Sequence, residues 1–113
     1  MLAPCSNGNI ALMVDIARRN SFHWDAVLGS EIARDSKPKP RVYLATVEAL
    51  NLTPGEVMMV AAHRDDLHSA ASNGLKTAHV ARPQEHPGAE DGPKTQVDFA
   101  ARSMDDLADK LGV

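Results

Sequence analysis

The sequence predicts an α/β fold in which a mainly parallel sheet is flanked by helices. Short apolar runs alternate with segments of helical periodicity, which is typical of this class. The run at residues 57–62 is apolar throughout, as in strands that parallel sheets bury on both faces. With 113 residues the chain has the length of one ordinary domain, so we expect residues 1–113 to form a single core domain.

The first half of the chain predicts two helices, each preceded by a short apolar run. The apolar runs lie at residues 2–5 and 26–28. Asn9 can cap the first helix, and Pro40 can open the second. Their apolar faces recur at helical spacing and consist of Ile10, Met13, Val14 and Ala17, then Tyr43, Val47 and Leu50.

The second half predicts strands and helices in alternation. Thr53 and Glu56 have the spacing of a capping box, which indicates one short turn before the strand at 57–62. Gly74 suits the left-handed residue that ends a helix, and Ser103 suits a helix N-cap. The remaining expectations are a helix over 65–73, a strand over 77–81, a surface loop over 82–96, an edge strand over 97–100 and a last helix after Ser103.

Composition narrows the classes of protein to consider. The formal net charge of −3, with basic and acidic residues interspersed, gives no electrostatic case for nucleic acid or an anionic membrane. The longest apolar run is far shorter than the roughly 20 residues that span a bilayer, and no leader-like stretch follows Met1. A single cysteine, Cys5, excludes an internal disulfide framework and cysteine-rich zinc modules. We expect a cytoplasmic globular protein.

The residues after each strand are the candidates for chemistry, because ligands bind beyond the carboxyl ends of parallel strands. Ser6, Asn7 and Gly8 lead into a predicted helix, where free backbone N–H groups would form a cradle for an anion. The alternative is that these three residues form a plain turn and cap. Cys5 could be a nucleophile, but without a paired histidine a buried apolar thiol is the simpler interpretation.

Two further candidates lie between the second apolar run and the second helix. Lys37, in the proline-rich run Lys37-Pro38-Lys39-Pro40, can present a fixed counter-charge to a carboxylate; the alternative is a solvated lysine, the role expected for Lys39. Tyr43 could lend its phenol to the site, but packing on a helix face is the favoured role.

A polar cluster directly follows the strand at 57–62. It includes His63 and Asp66, which lie where α/β enzymes place working groups. The alternative is a helix N-terminus whose acidic residues favour the macrodipole. The other histidines lack the spacing of a zinc pair, so they are expected to be structural.

The order of these motifs resembles the haloacid dehalogenase superfamily, in particular its 2-haloacid dehalogenase (type II) branch. The resemblance rests on Ser6-Asn7-Gly8, on Lys37-Pro38-x-Pro40 with Tyr43, and on Asp66 after a buried strand. It implies a Rossmann-like core and a hydrolase that cleaves the carbon–halogen bond of 2-haloacids through an aspartyl ester.

The resemblance also implies roles for individual residues. Ser6 would bind the substrate carboxylate or the attacking aspartate, and Asn7 would face the halide, with Gly8 beside it. Lys37 would pair with the attacking carboxylate, with Tyr43 near the site. Asp66 would help to position the hydrolytic water.

The stretch before Asp66 departs from the superfamily's phosphatases. Those enzymes bind Mg²⁺ through an acid at the position of Ala62, and Mg²⁺ needs several oxygen ligands. This departure favours a dehalogenase, which uses no metal or other cofactor, over a phosphatase-type hydrolase. His63, which is expected to contact substrate, lies where many dehalogenases have an asparagine. The resemblance therefore does not determine which substrate is bound.

The family's first motif, Asp-x-Asp-x-Thr on a central strand, does not occur in the sequence, nor does the helical cap that follows it. We therefore expect the C-terminal part of the core, with no turnover by the chain alone. Loss of a central strand exposes apolar edges, so we expect a homo-oligomer or complementation by an N-terminal half. The alternative is a non-catalytic remnant that acts as a binding or oligomerisation module.

Overall fold

A computed structural model describes residues 1–84 and 96–113 of the chain. The described residues form two compact units, Met1–Leu52 and Thr53–Val113, each with its own parallel sheet and helices. These sheets confirm the α/β class that the sequence predicts. Most of the loop expected over 82–96 lies outside the described residues, and the single domain over 1–113 stays a prediction.

The first unit, Met1–Leu52, is built around a pair of short parallel strands. Its elements in chain order are β1 (Cys5–Ser6), α1 (Ile10–Arg19), β2 (Leu28–Gly29), α2 (Ser30–Ala33) and α3 (Pro40–Ala49). Cys5 pairs with Leu28 and Ser6 pairs with Gly29, so both strands end at the same edge. The short helix α2 has no counterpart in the sequence prediction.

Helix α1 begins where the sequence predicts. The Asn9 carboxamide oxygen accepts a hydrogen bond from the backbone N–H of Leu12 at 2.7 Å, which confirms the expected N-cap. Arg18 and Arg19 lie in the last turn, where cations favour the helix macrodipole.

Helix α3 provides the buried centre of this unit. Val42, Tyr43, Thr46 and Val47 are buried. The expected apolar face is confirmed at Tyr43 and Val47, whereas Leu50 is the half-buried C-cap residue. The Thr46 hydroxyl donates to the backbone oxygen of Val42, and its oxygen lies 3.5 Å from the sulfur of Cys5. The thiol of Cys5 is half-buried.

The second unit, Thr53–Val113, contains a three-stranded sheet. Its elements are a 3-10 turn (Pro54–Glu56), β3 (Met58–Ala61), α4 (Arg64–Ser72), β4 (Lys76–Val80), β5 (Phe99–Ala101) and α5 (Met104–Leu111). The strand order is β3-β4-β5 and both pairings are parallel. The core cluster joins the sheet to α5 through Ala78, Val80, Ala101 and Leu107.

Local sequence signals in this unit are confirmed. Glu56 accepts hydrogen bonds from the backbone N–H and the hydroxyl of Thr53 at 3.0 and 2.8 Å. Gly74 has a φ of +87° after α4, and the hydroxyl of Ser103 accepts from the N–H of Asp106 at 3.0 Å. Each signal depends on contacts within a few residues, which a sequence pattern can identify.

The expected burial of β3 on both faces is wrong. Met58, Met59 and Ala61 are half-buried and Val60 is 36% exposed, whereas β4 is buried from Thr77 to Val80. Among residues 1–84 and 96–113, β3 is an edge strand that pairs with β4 alone, so its apolar composition does not bring the burial of a central strand. Among the helices of the described residues, none is long and apolar enough to cross a membrane.

Gly29 is required where the two strands of the first unit pair. Its φ is +121°, and an added Cβ would lie 2.4 Å from the backbone oxygen of Ser6. We expect Gly29→Ala to destabilise the chain by about 3 kcal/mol, because both the strained backbone and the clash must be relieved. Urea unfolding measures the change.

Gly55→Ala is the matched control for this variant. An added Cβ at Gly55 meets nothing within 4 Å, so we expect a change within about 0.5 kcal/mol. Equal stability of the two variants would contradict the close approach of β1 and β2.

Asp106 should make the second unit sensitive to acid. The backbone N–H of Arg102 lowers the pKa of Asp106 below 3.8, and the ammonium of Lys110 acts in the same direction. Because the folded pKa lies below the unfolded one, the stabilisation is present above about pH 3.8 and is lost as pH falls through the folded pKa. Urea unfolding at pH 6 and pH 3 should show a smaller acid-dependent loss for Asp106→Asn than for the original chain.

The control is Asp105→Asn, which leaves the contacts of Asp106 with Arg102 and Lys110 in place. An acid-dependent loss that is the same with and without Asp106 would refute its role.

Candidate active site

The residues that follow β1 and β2 meet at one edge of the first unit. Because Ser6 pairs with Gly29, the next residues, Asn7 and Ser30, lie side by side. The Asn7 carboxamide oxygen accepts from the Ser30 hydroxyl at 2.5 Å and from the backbone N–H of Lys37 at 2.8 Å. One side chain therefore joins the ends of two strands to the loop that carries the lysine.

Three backbone N–H groups around the expected anion cradle before α1 have acceptors within the chain. The N–H of Gly8 donates to the Ser6 hydroxyl oxygen at 3.0 Å, and the N–H of Ile10 donates to the Glu31 carboxylate at 2.5 Å. The Asn9 carboxamide oxygen accepts a hydrogen bond from the N–H of Leu12. These three donors already have acceptors, and the anion cradle at Ser6, Asn7 and Gly8 stays a prediction.

Gly8 also has a steric role in this turn. An added Cβ would lie 2.8 Å from the terminal methyl of Met13 and 3.3 Å from the Ser6 hydroxyl oxygen. The absence of a side chain at Gly8 therefore leaves room for the Met13 methyl and the Ser6 hydroxyl. Direct contact of Gly8 with a substrate stays a prediction.

The two lysines of the proline-rich loop differ as the sequence suggests. Lys39 is exposed, and its ammonium lies 3.2 Å from the carboxylate of Asp35. The N–H of Ser36 lowers the pKa of Asp35, with the same effect from Lys39. Lys37, which follows Ser36 and precedes a cis proline, is half-buried and points its ammonium over the ring of Tyr43, 5.9 Å from the centroid. A cation at this distance gains from the ring's quadrupole.

Tyr43 takes the packing role, one of the two that the sequence leaves open. Its side chain is fully buried within α3, so it packs in the centre of the first unit. Its ring is also the surface that faces the Lys37 ammonium. Tyr43 therefore packs in the core, and its ring contacts the Lys37 ammonium. A role of its phenol in the site stays a prediction.

His63 and Asp66 lie in the second unit, at the start of α4. His63 is the N-cap residue and its side chain makes no capping hydrogen bond, while Asp66 is half-buried in the first helical turn. An acid in the first turn favours the helix dipole, which is the structural alternative to a catalytic role. No cluster of three or more potential metal-ligating side chains occurs within residues 1–84 and 96–113.

Sequence reasoning missed Ser30 and Glu31. Ser30 donates to Asn7, and Glu31 accepts from the N-terminus of α1. A signal existed, since both residues lie within three positions of the end of the apolar run at 26–28, and residues after a strand are candidates for this edge. The run of three residues was too short to mark a strand end by itself.

Comparisons with known proteins identify related sequences and structures. The sequence profile of the haloacid dehalogenase-like hydrolases matches residues 2–74. The crystal structure of the L-2-haloacid dehalogenase PA0810 superposes with a TM-score of 0.90 and 43% identity, over 97% of this chain and 50% of that one. The (S)-2-haloacid dehalogenase of Xanthobacter autotrophicus is 36% identical over 72 residues, which are 64% of this chain and 28% of the relative.

A third relative has a different activity in its name. The enolase-phosphatase E1 of Persephonella marina is 31% identical over 74 residues, which are 66% of this chain and 31% of the relative. The chain thus spans about a third of the curated relatives that it matches and about half of the solved structure.

The profile match covers more than half of the residues, and the fold is the Rossmann-like arrangement of the matched structure. The chain belongs to the haloacid dehalogenase-like hydrolases. Within them, its likeness to the L-2-haloacid dehalogenase and the (S)-2-haloacid dehalogenase assigns it to the 2-haloacid dehalogenase branch. The resemblance based on Ser6-Asn7-Gly8, Lys37 and Asp66 is confirmed at the level of the family.

The complete burial of Tyr43 predicts a large loss of stability when its side chain is truncated. Tyr43→Ala should cost about 3–5 kcal/mol, because it removes a fully buried ring from α3. Urea unfolding followed by circular dichroism measures the loss. Leu44→Ala, at the next position of the helix and 37% exposed, should cost at most about 1 kcal/mol, and a similar cost for both would contradict the central packing of Tyr43.

Proposed function

We propose that this chain supplies the anion-binding part of a dehalogenase-type hydrolase, which replaces the halogen of a 2-haloacid with a hydroxyl group. The observation that carries the proposal is the junction at Asn7, whose carboxamide oxygen accepts from the backbone N–H of Lys37 at 2.8 Å. This hydrogen bond holds Asn7, whose NH₂ group is a neutral donor, and Lys37, whose side chain is a cation, at the same strand edge. The identity of 43% to an L-2-haloacid dehalogenase supports the substrate class.

The proposed reaction has two steps. A carboxylate oxygen attacks C2 of the 2-haloacid, forms a C–O bond and displaces the halide with its bonding electron pair. Water then attacks the carbonyl carbon of the ester, which releases the 2-hydroxyacid and restores the carboxylate, while one proton passes to solvent. The attacking group, the substrate and the leaving halide are all anionic, so the site needs a cation and hydrogen-bond donors.

Residues of the first unit match these needs. The Ser6 hydroxyl, which accepts from Gly8, keeps its proton for a carboxylate oxygen. The Asn7 carboxamide NH₂ is the donor for the halide, because its oxygen is already occupied. The Lys37 ammonium, positioned over Tyr43, is the counter-charge. Gly8 leaves the space beside Ser6 open.

Residues of the second unit enter the proposal through the family resemblance. Asp66, in the first turn of α4, is the acid expected to position the hydrolytic water. His63, directly before this helix, is the expected substrate neighbour. No metal or other cofactor enters the proposed reaction.

The attacking carboxylate is the part that the chain does not identify. The Asp-x-Asp-x-Thr motif of the family does not occur in the 113 residues. We propose that this carboxylate comes from another polypeptide segment, supplied by a complementing N-terminal half or within a homo-oligomer, so that the chain alone has no turnover. Cytoplasmic location and oligomeric state remain predictions.

One observation favours a second candidate, a phosphatase-type hydrolase of the same family. It is the identity of 31% to an enolase-phosphatase over 74 residues. The absence of an acid at Ala62 weakens it, since Mg²⁺ prefers several oxygen ligands. Mg²⁺-dependent hydrolysis of p-nitrophenyl phosphate would support it, and inactivity on both substrates would leave the non-catalytic binding module.

The test is chloride release from 2-chloropropionate by this chain mixed with a polypeptide that carries the Asp-x-Asp-x-Thr strand. We expect release from the mixture and none from either part alone. Lys37→Ala should lower kcat by about 100-fold or more, since removal of a charge-stabilising group costs that much in comparable sites.

Lys39→Ala is the control, because Lys39 pairs with Asp35 at the surface; its kcat should change less than twofold. A folded mixture that releases no chloride, or equal effects of the two lysines, would refute the dehalogenase proposal.

A further inference from the structure

Asn7 is the point where three segments of the first unit are joined. Its carboxamide oxygen accepts from Ser30 at the end of β2 and from the backbone of Lys37 in the proline-rich loop. Asn7 is exposed, whereas Ser30 and Lys37 are half-buried. An exposed carboxamide that accepts two hydrogen bonds from less exposed donors is oriented by the protein rather than by solvent.

The chemistry of the two donors determines which end of the carboxamide points outward. A backbone N–H can only donate, so the group facing Lys37 must be the oxygen of Asn7. A second donor on the same oxygen, the Ser30 hydroxyl, opposes rotation about the last side-chain bond. With the oxygen held twice, the NH₂ group is directed away from both donors.

The position of Ser30 is itself determined by the strand register. Ser6 pairs with Gly29, so Ser30 is the first residue beyond β2 and lies beside Asn7. Gly29 allows this approach because an added Cβ there would lie 2.4 Å from the backbone oxygen of Ser6. Ser30 also begins α2, which restrains its backbone.

We propose that Ser30 is a positioning residue, whose hydroxyl holds the Asn7 carboxamide so that its NH₂ group is presented to an anion at the end of β1. The inference rests on the proposed function, because that function assigns the NH₂ group to the departing halide. Ser30 acts through Asn7 and does not itself touch the substrate.

The first measurement uses the chain alone and does not require activity. In ¹⁵N-labelled protein, Ser30→Ala should broaden and shift the side-chain NH₂ signals of Asn7, while Ser30→Thr, which keeps the hydroxyl, should restore them. The control is Ser36→Ala at the exposed serine before Lys37, which should leave these signals unchanged.

The second measurement titrates the same variants with bromide. Ser30→Ala should raise the bromide Kd by about fivefold, which is the fold-change equivalent to one ordinary hydrogen bond, and Ser30→Thr should restore it. In the complemented enzyme Ser30→Ala should lower kcat more than it raises KM for 2-chloropropionate, because the halide acquires its charge in the transition state.

The outcomes separate this inference from the proposed function. Perturbed Asn7 signals without any dehalogenation would support the positioning by Ser30 and refute the reaction. Unchanged Asn7 signals and bromide affinity in Ser30→Ala, or equal losses in the alanine and threonine variants, would refute the positioning. If Ser30→Ala does not fold, Ser30→Cys, of similar size but a weak donor, carries the same expectations.

Discussion

The parallel register of β1 and β2 is the constraint on which the rest of the first unit depends. It pairs Ser6 with Gly29, and it thereby brings the next residue of each strand, Asn7 and Ser30, into hydrogen-bond contact. Two strands of two residues each are a small platform, but a parallel pair has one common carboxyl edge. The only side chain small enough for this approach at Gly29 is a hydrogen atom.

The two lysines of the proline-rich loop differ in what their ammonium groups contact. Of two lysines separated by a proline, Lys39 pairs with Asp35 at the surface, and Lys37 lies over the buried ring of Tyr43. An ammonium over an aromatic face gains from the ring's quadrupole. Contact with a buried ring and an ion pair at the surface therefore distinguish these two neighbouring lysines.

Features governed by near neighbours in the chain were predictable from the sequence. The caps at Asn9 and Ser103 and the left-handed Gly74 are examples. Features governed by distant contacts were not: the pairing of Ser30 with Asn7 joins residues 23 positions apart. Burial of β3 was overestimated for the same reason, because an apolar run does not reveal whether a strand is central or at an edge.

The Glu31 carboxylate has a consequence for how anions would be recognised. It occupies the N–H of Ile10, so the positive end of helix α1 is balanced by a negative charge from its own unit. The attraction that this helix could add for an anion is then largely cancelled. Dissolved salt screens long-range fields far more than direct contacts. The part of anion recognition that depends on helix α1 should thus show little sensitivity to ionic strength.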